Sequence, residues 1–437
     1  MKRIFLVFFV AFTGFLVSGS ALCSSQLPRV YWSEGTFQYK GAFLLPSGVH
    51  GYGEFNNTGG AIGLSEDGAS FFIQGKKVLG TDSGIAEVEI PRLKNTDVVS
   101  ELNTAGVKQN FVKMMTKASA GNPQENDEYR GIYSYKNKLI IAAMKIYDGK
   151  ADNTQFLLRV DAPNDLTNSF VGGFYGIKDN ARTAGWISAV PREWQSKLGC
   201  KHLMGNSNGY SINSRLSIGP SAYCVDLDDI ISANTDGEII DSIALMSFSM
   251  EHQMQKNINP DWNLNNALDL ESTSITPQGN DVLTYLSKGA FGFIVPGTRT
   301  YAVFGTSSGH ESGVGYKIIQ NNGNLCSGYC SVKYDDWSNY VWFFDLNDFA
   351  LVKQGEKAAH SLVPYAYGPI DTVFETNDRN IKTEIGGGAY DEEKGILYLV
   401  QTPAYIEGYA RLPVITAYKI NVPRNVLPSP PGVVQFH

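Results

Sequence analysis

Residues 386–420 read GGGAYDEEKGILYLVQTPAYIEGYARLPVITAYKI. Three glycines and an alanine open this stretch, a charged turn follows, and two apolar runs come next, at residues 396–400 and 415–420. Strands favour the β-branched and aromatic residues of these runs, and Gly favours the tight turns between them. The stretch therefore predicts a unit of three short strands whose first strand is crowded enough to select glycine.

The same order of small residues, turn and apolar strand occurs five times in the chain. The five copies begin at Gly59, Gly131, Gly185, Gly289 and Gly386. A repeated three-strand unit is what a β-propeller blade requires, because Gly fits the inner strand at the axis and aromatic residues fill the space between blades. The sequence predicts an all-β protein, a single β-propeller with five repeats visible. The spacing is irregular, so a β-sandwich or two small β domains is the alternative.

Residues 37–45, FQYKGAFLL, form a predicted strand that has no partner in its own neighbourhood. It could complete the last blade, so that N- and C-terminal strands close the ring. Two segments interrupt the repeats, at residues 250–280 and 310–340. Long insertions between strands lie on the surface and carry function more often than the strands do.

The composition excludes several classes of protein. Charged residues make up 18% of the chain, which has 45 Gly, 23 Tyr and 23 Phe. A coiled coil, a helical bundle and a disordered chain all require a different mixture. The 36 Lys and Arg against 43 Asp and Glu give a net charge of −7. A nucleic-acid-binding protein would show a basic excess, so no nucleic-acid partner is expected.

The N-terminus indicates export. Lys2 and Arg3 precede an apolar run at residues 4–17, and small residues follow at 18–21. This order is typical of a signal peptide, assigned to residues 1–22, and the run is shorter than the roughly 20 residues that span a bilayer. We expect a secreted or periplasmic protein without a transmembrane segment. Lipid anchoring at Cys23 is the alternative, although Leu22 stands where a lipobox carries Gly, Ala or Ser.

The propeller is assigned to residues 30–425 and a Pro-rich tail to 426–437, and a monomer is expected.

Four cysteines follow the leader, and an even number in an exported chain suggests two disulfides. The simplest pairing is Cys200 with Cys224 and Cys326 with Cys330. His310 lies in the same insertion as the second pair, and a Cys-x3-Cys pair plus His supplies three zinc ligands. A structural zinc at His310, Cys326 and Cys330 is therefore the alternative to the second disulfide.

One cluster of cations and phenols lies at the second repeat. Tyr129 and Arg130 are followed one hairpin later by Lys145 and Tyr147. A cation and a phenol can bind a carboxylate, polarise it and move a proton. We expect these four residues to bind substrate. Charges at strand ends are commonly solvated without a specific role, which is the alternative.

A second polar cluster lies in the third repeat. His202, Tyr210 and Arg215 could act as base, acid and charge neutraliser and are the candidate catalytic residues. Hydrogen bonding within a long hairpin is the alternative.

Three segments resemble parts of secreted bacterial propellers, a group that includes the ulvan-lyase type of polysaccharide lyase. They are GWISAVPREW at 185–194, SRLSIGPS at 214–221 and VWFFDL at 341–346. The resemblance implies a seven-bladed ring that cleaves an acidic, uronate-containing glycan by β-elimination. It implies that Arg215 neutralises the carboxylate, that Tyr210 transfers the proton and that His202 is an alternative base. The group His310, Cys326 and Cys330 would match a structural zinc.

Two functions from different classes remain. The first is a polysaccharide lyase, and the second is a non-catalytic propeller that binds a glycan or a protein at the cell envelope; a fold alone does not choose between them. The sequence has no His-Glu-x-x-His motif and no phosphate-binding loop. It also lacks a marked pair of carboxylates for a hydrolase. No cofactor besides the structural zinc is expected.

Overall fold

The computed structural model of the chain describes residues 27–76, 78, 81–146, 148, 152–178, 183–207, 220–248, 275–276, 282–284, 286–376, 381–422 and 434–435. Within these ranges five β-sheets are arranged as the blades of a propeller. The predicted all-β propeller fold is confirmed.

The first half of the chain supplies three blades and the strands that precede them. One strand and a hairpin come first, β1 (Phe37–Leu44), β2 (Val49–His50) and β3 (Gly53–Glu54). Blade 1 contains β4 (Ile62–Leu64), β5 (Ser70–Gln74), β6 (Ile85–Glu89) and β7 (Val107–Val112). Blade 2 contains β8 (Glu128–Tyr135), β9 (Lys138–Met144), β10 (Gln155–Val160) and β11 (Val171–Ile177). Blade 3 contains β12 (Ile187–Ala189), β13 (His202–Met204), β14 (Ala222–Val225) and, after β15 (Ile239–Ile240), β16 (Ser242–Met246). Strand β15 pairs in parallel with β11 of blade 2.

The second half supplies blades 4 and 5 and an inserted sheet. Strand β17 (Ile275–Thr276) precedes blade 4, which begins with β18 (Lys288–Ile294) and β19 (Thr300–Ser308). After β20 (Val314–Tyr316) and β21 (Tyr329–Ser331), blade 4 continues with β22 (Trp337–Asp345) and β23 (Ala366–Ile370). Strands β17, β20 and β21 form the inserted sheet. Blade 5 contains β24 (Glu384–Asp391), β25 (Ile396–Glu407) and β26 (Ala410–Ile420). Within the predicted tail, β27 (Val434–Gln435) pairs in parallel with β23.

The helices of the described residues are short and connect strands. They are α1 (Met114–Lys117), α2 (Arg192–Leu198), α3 (Leu227–Ser232) and α4 (Leu346–Lys353), with 3₁₀ turns at Val99–Glu101 and Ala359–Ser361. Helices α3 and α4 begin after Asp226 and Asp345, whose carboxylates accept a hydrogen bond from a backbone N–H of the first turn.

The inner strands β4, β8, β12, β18 and β24 meet in a closed ring of five. Each glycine-rich strand approaches the next so closely that an added Cβ would lie under 3 Å from the neighbouring blade. These approaches join Gly63 to Ile132, Gly131 to Gly185, Gly292 to Trp186, Gly388 to Phe291 and Gly387 to Gly60. The last approach connects blade 5 to blade 1. The expectation of seven blades is therefore wrong, because five inner strands already close the ring.

The N-terminal strand closes the ring as predicted. Strand β1 pairs antiparallel with β26, from Phe37 opposite Ile420 to Leu44 opposite Val414. Blade 5 therefore combines one strand from the start of the chain with three strands from its end. This pairing covers the outer edge of β26, which would otherwise offer unpaired backbone groups.

Aromatic side chains fill the space between neighbouring blades. Phe71 of blade 1 meets Tyr398 of blade 5 edge to face, with 5.0 Å between the ring centroids. Phe293 of blade 4 stacks on Tyr390 of blade 5 at 4.7 Å. Each large ring buries apolar area between sheets, so this packing holds neighbouring blades together.

Candidate functional site

One mouth of the ring, where the inner strands begin, opens into a cavity that we call the axial pocket. Its volume is about 370 Å³, and blades 2, 4 and 5 and the inserted sheet form its walls. The side chains that give it its chemistry are the cations Arg130, Lys288 and Lys382, the aromatic residues Tyr329, Tyr334 and Trp337, and the carboxylate Glu384. Cations thus outnumber anions among the lining residues, although the whole chain carries a net charge of −7.

Arg130 enters the pocket at a β-bulge. Tyr129 pairs with Ala143 and Gly131 pairs with Ala142, so Arg130 has no residue opposite it on β9. The same irregularity occurs near the start of β18 and of β24. A bulge changes the direction of one side chain without breaking the strand, which is why bulges are common beside functional sites.

The guanidinium of Arg130 is buried but incompletely paired. Its Nη2 donates a hydrogen bond of 2.9 Å to Oε2 of Glu128, and the two side chains are 5% and 1% exposed. Its Nε has no hydrogen-bond partner among the described residues. A buried N–H without an acceptor costs free energy, so an anion that accepts from Nε would be bound favourably.

The remaining walls combine charge with aromatic surface. Nζ of Lys382 lies 5.4 Å from the ring centroid of Tyr334 and 3.6 Å from Oδ1 of Asp335. Trp337 is partly exposed at the start of β22. A cation beside partly exposed aromatic rings can hold the acidic group of a sugar while a ring covers the sugar's apolar face.

Of the four predicted substrate-binding residues, the structure places only Arg130 in the pocket. Tyr129 is fully buried, donates to Oδ1 of Asp82 and accepts hydrogen bonds from the N–H groups of Met114 and Met115. Burial raises the pKa of Tyr129 well above its usual value, so the phenol is neutral and belongs to the core. Its predicted contact with substrate does not fit this position. Lys145 pairs with Glu125 at 2.6 Å on the surface, and Tyr147 lies outside the described residues.

His202 lies in blade 3, on the face of the ring opposite to the axial pocket. It pairs with Ala189, the last residue of β12, whereas the pocket lies where the inner strands begin. Its buried ring meets Tyr133 and Tyr135 edge to face, with centroids 5.6 and 4.8 Å away. Burial lowers the pKa of His202 from 6.5 to about 4. The structure therefore does not bring His202 and Arg130 into one site.

The buried histidine predicts a pH-dependent stability. His202 takes up a proton near pH 6.5 in the unfolded chain but only near pH 4 in the folded chain. The free energy of unfolding therefore has its full value above pH 6.5 and decreases as the pH falls from 6.5 towards 4. Between pH 7 and pH 5 we expect the free energy of unfolding to decrease by about 2 kcal/mol more in the wild type than in His202→Phe. Urea unfolding of both proteins at the two pH values measures this difference. Equal losses in both proteins would show that His202 is not responsible.

Tyr210 and Arg215 lie outside the described residues, but the structure shows the residues that flank their segment. Ser207, three positions before Tyr210, donates a hydrogen bond of 3.4 Å to the backbone oxygen of Arg130. Ser221, at the other end, accepts a hydrogen bond from the N–H of Asn206. Both ends of the segment thus lie on the side of the ring that holds the axial pocket.

Both predicted disulfides are present, Cys200–Cys224 and Cys326–Cys330. Cys330 lines the axial pocket, and Nε2 of His310 lies 2.6 Å from Oγ of Ser307. A sulfur in a disulfide is not the thiolate that zinc requires, so zinc at His310, Cys326 and Cys330 would require the reduced chain and stays a prediction. Within the described ranges, no three His, Cys, Asp or Glu side chains are grouped to hold a metal ion.

Sequence reasoning missed most of the pocket, although one signal was available. Arg130 and Lys288 each stand directly before the glycine of their inner strand, and Glu384 stands two residues before Gly386. All three residues lie near the start of their inner strands, and all three line the axial pocket. Tyr329, Tyr334 and Trp337 belong to the insertion at residues 310–340 and carry no comparable signal.

Among the described residues, no helix has the length and apolar character needed to cross a membrane.

No protein-family model matches the chain, and no curated protein is significantly similar to it. One similar solved structure comes from work entitled "The GH130 family of mannoside phosphorylases contains glycoside hydrolases that target beta-1,2 mannosidic linkages in Candida mannan". It is 11% identical to this chain, with a TM-score of 0.40, and the match covers 93% of this chain and 99% of the other.

Proposed function

We propose that the axial pocket binds an acidic, uronate-containing glycan and that the protein cleaves this glycan by β-elimination. The observation that carries the proposal is the cationic pocket at the ring axis, where the buried Arg130 has an unused Nε–H. An anionic polymer would otherwise be repelled by a chain with a net charge of −7. Local cations are therefore required for such a ligand, and the pocket provides them.

The groups in and beside the pocket match the needs of β-elimination. A base removes the proton next to the carboxylate, a carbon–carbon double bond forms, and the bond to the 4-linked sugar oxygen breaks as that oxygen receives a proton. Arg130 and Lys288 would neutralise the carboxylate, which makes the neighbouring proton more acidic. The phenols of Tyr329 and Tyr334 are candidates for the proton transfers.

The segment that contains Tyr210 and Arg215 adds to this set. Three residues of chain span at most about 10 Å, so a segment that starts at Ser207 beside Arg130 can bring Tyr210 to the pocket. We propose that Arg215 assists in charge neutralisation and Tyr210 in proton transfer, as the lyase resemblance implies.

The two disulfides fit the proposed secreted or periplasmic compartment, because disulfides persist in oxidising environments. A polymer in that compartment can reach a pocket at the mouth of the ring without entering the protein. We propose a monomer that acts on, or binds, an extracellular polysaccharide.

The test is a cleavage assay on a panel of uronate polymers that includes polyglucuronate, polygalacturonate and alginate. Cleavage by β-elimination produces an unsaturated uronate, which absorbs in the ultraviolet, and we expect this signal for at least one polymer. The matched control is the same polymer with its carboxyl groups reduced to alcohols, which should give no signal. Calorimetric binding without absorbance would instead favour the non-catalytic envelope propeller, and a lack of both would contradict the proposal.

A further inference from the structure

We infer that Glu128 is a positioning residue, which holds the guanidinium of Arg130 so that its Nε–H edge receives the carboxylate of a bound uronate. The inference rests on the proposed function of the axial pocket and names the group by which the ligand is recognised. Both residues lie on β8, two positions apart, at the mouth of the ring.

The geometry fixes one corner of the guanidinium and leaves a second, buried corner without a hydrogen-bond partner among the described residues. Oε2 of Glu128 accepts from Nη2 at 2.9 Å, while Nε has no partner among the described residues. Because the five N–H bonds of a guanidinium lie in one plane, a hydrogen bond to a buried acceptor restricts the directions of the other N–H groups. The carboxylate of Glu128 is itself buried, with 1% of its side chain exposed, so it is held in place by the surrounding core.

The shape of the unused edge favours a carboxylate. In a guanidinium, Nε–H and the Nη2 hydrogen on the same side point in nearly parallel directions, and the two oxygens of a carboxylate accept from such a fork together. Lys288 and Lys382, in the same pocket, supply positive charge. This charge is needed because the pairing with Glu128 offsets the charge of Arg130.

A positioning role can be distinguished from a simple charge effect by the sign of the change in affinity. Glu128 carries a negative charge close to the proposed anion site, and through space this charge opposes the binding of an anion. If Glu128 acted only through its charge, its removal would strengthen binding. If it orients Arg130, the loss of its oxygen weakens binding even though a repelling charge has gone.

The experiment measures calorimetric affinity for a 4-linked glucuronate hexasaccharide in wild type, Glu128→Gln, Glu128→Ala and Glu128→Asp. Glutamine keeps an oxygen that accepts from Nη2, so we expect its affinity to stay within about threefold of wild type. Alanine removes the acceptor, and the shorter aspartate moves it away from Nη2. Both variants should therefore bind the hexasaccharide at least about tenfold more weakly than wild type. Thermal unfolding shows whether each variant folds. If Glu128→Ala does not fold, Glu128→Asp tests the positioning role, because aspartate keeps the negative charge beside Arg130.

Two results would overturn the inference while leaving the proposed function in place. One is wild-type or tighter binding by the folded alanine or aspartate variant. The other is a glutamine variant as weak as alanine, since the conservative change should rescue binding. A wild type that binds the carboxyl-reduced hexasaccharide equally well would instead refute acid recognition itself. Suppose that an oligomer of sulfated sugars without carboxyl groups binds to the wild type more tightly than the glucuronate hexasaccharide does. This result would show that the fork selects sulfate rather than carboxylate, and it would overturn the inference.

Discussion

Replacing Arg130 with glutamine is expected to lower kcat/KM on the cleaved uronate polymer by about 100-fold. The loss of one preorganised donor to a developing anion typically has this effect in enzymes. Glutamine retains an N–H donor, but it has neither the positive charge nor the planar fork of the guanidinium. Initial rates of ultraviolet absorbance at subsaturating polymer concentrations measure this change.

Arg159→Gln is the matched control for this experiment. Arg159 is a second buried arginine of blade 2, and its Nη1 donates to the backbone oxygens of Ile230, Ile231 and Ala233 rather than facing the axial pocket. We expect this control to unfold at a lower urea concentration and to retain its kcat/KM. Equal loss of activity in both variants would indicate general disruption of blade 2. A fully active Arg130→Gln protein would remove Arg130 from the mechanism.

Much of the fold could be predicted because the constraints on it are local. Glycine is selected wherever two inner strands approach at backbone distance, so the five repeats correspond to the five blades. The apolar strand that became β1 had no neighbour in sequence, and an unpaired strand at one terminus suits the open blade at the other. The even cysteine count suggested two disulfides, and of the three possible pairings of four cysteines the structure has the simplest.

The number of blades could not be predicted from the same pattern. Wide spacing between repeats has the same appearance whether the extra residues form hidden blades or insertions. The structure shows that some of them form the inserted sheet, at Val314–Tyr316 and Tyr329–Ser331. The seven-blade expectation came from the lyase resemblance, whereas the ring size depends on how inner strands pack across the axis.

The site was harder to predict because adjacent residues of a strand point to opposite sides. Tyr129 and Arg130 were grouped by their nearness in sequence, yet the phenol lies in the core and the guanidinium in the axial pocket. The bulge at Arg130 depends on the pairing with β9 and has no local sequence signature. His202 was grouped with Tyr210 for the same reason, although β13 places it toward the far end of its blade.

Replacing Gly387 with alanine is expected to destabilise the protein by about 3 kcal/mol or more, since this glycine lies where blade 5 meets blade 1. An ideal Cβ at Gly387 would lie 2.0 Å from the backbone oxygen of Gly60, and 2.9 Å from its carbonyl carbon. A flexible side chain could turn away from such a contact, but backbone atoms move only if an inner strand shifts. Gly35→Ala is the control, because its added Cβ would have no neighbour closer than 3.9 Å, and it should unfold at the wild-type urea concentration. Equal urea midpoints for Gly387→Ala and Gly35→Ala would mean that blades 5 and 1 do not touch at this point, and the five-membered ring would then have to be abandoned.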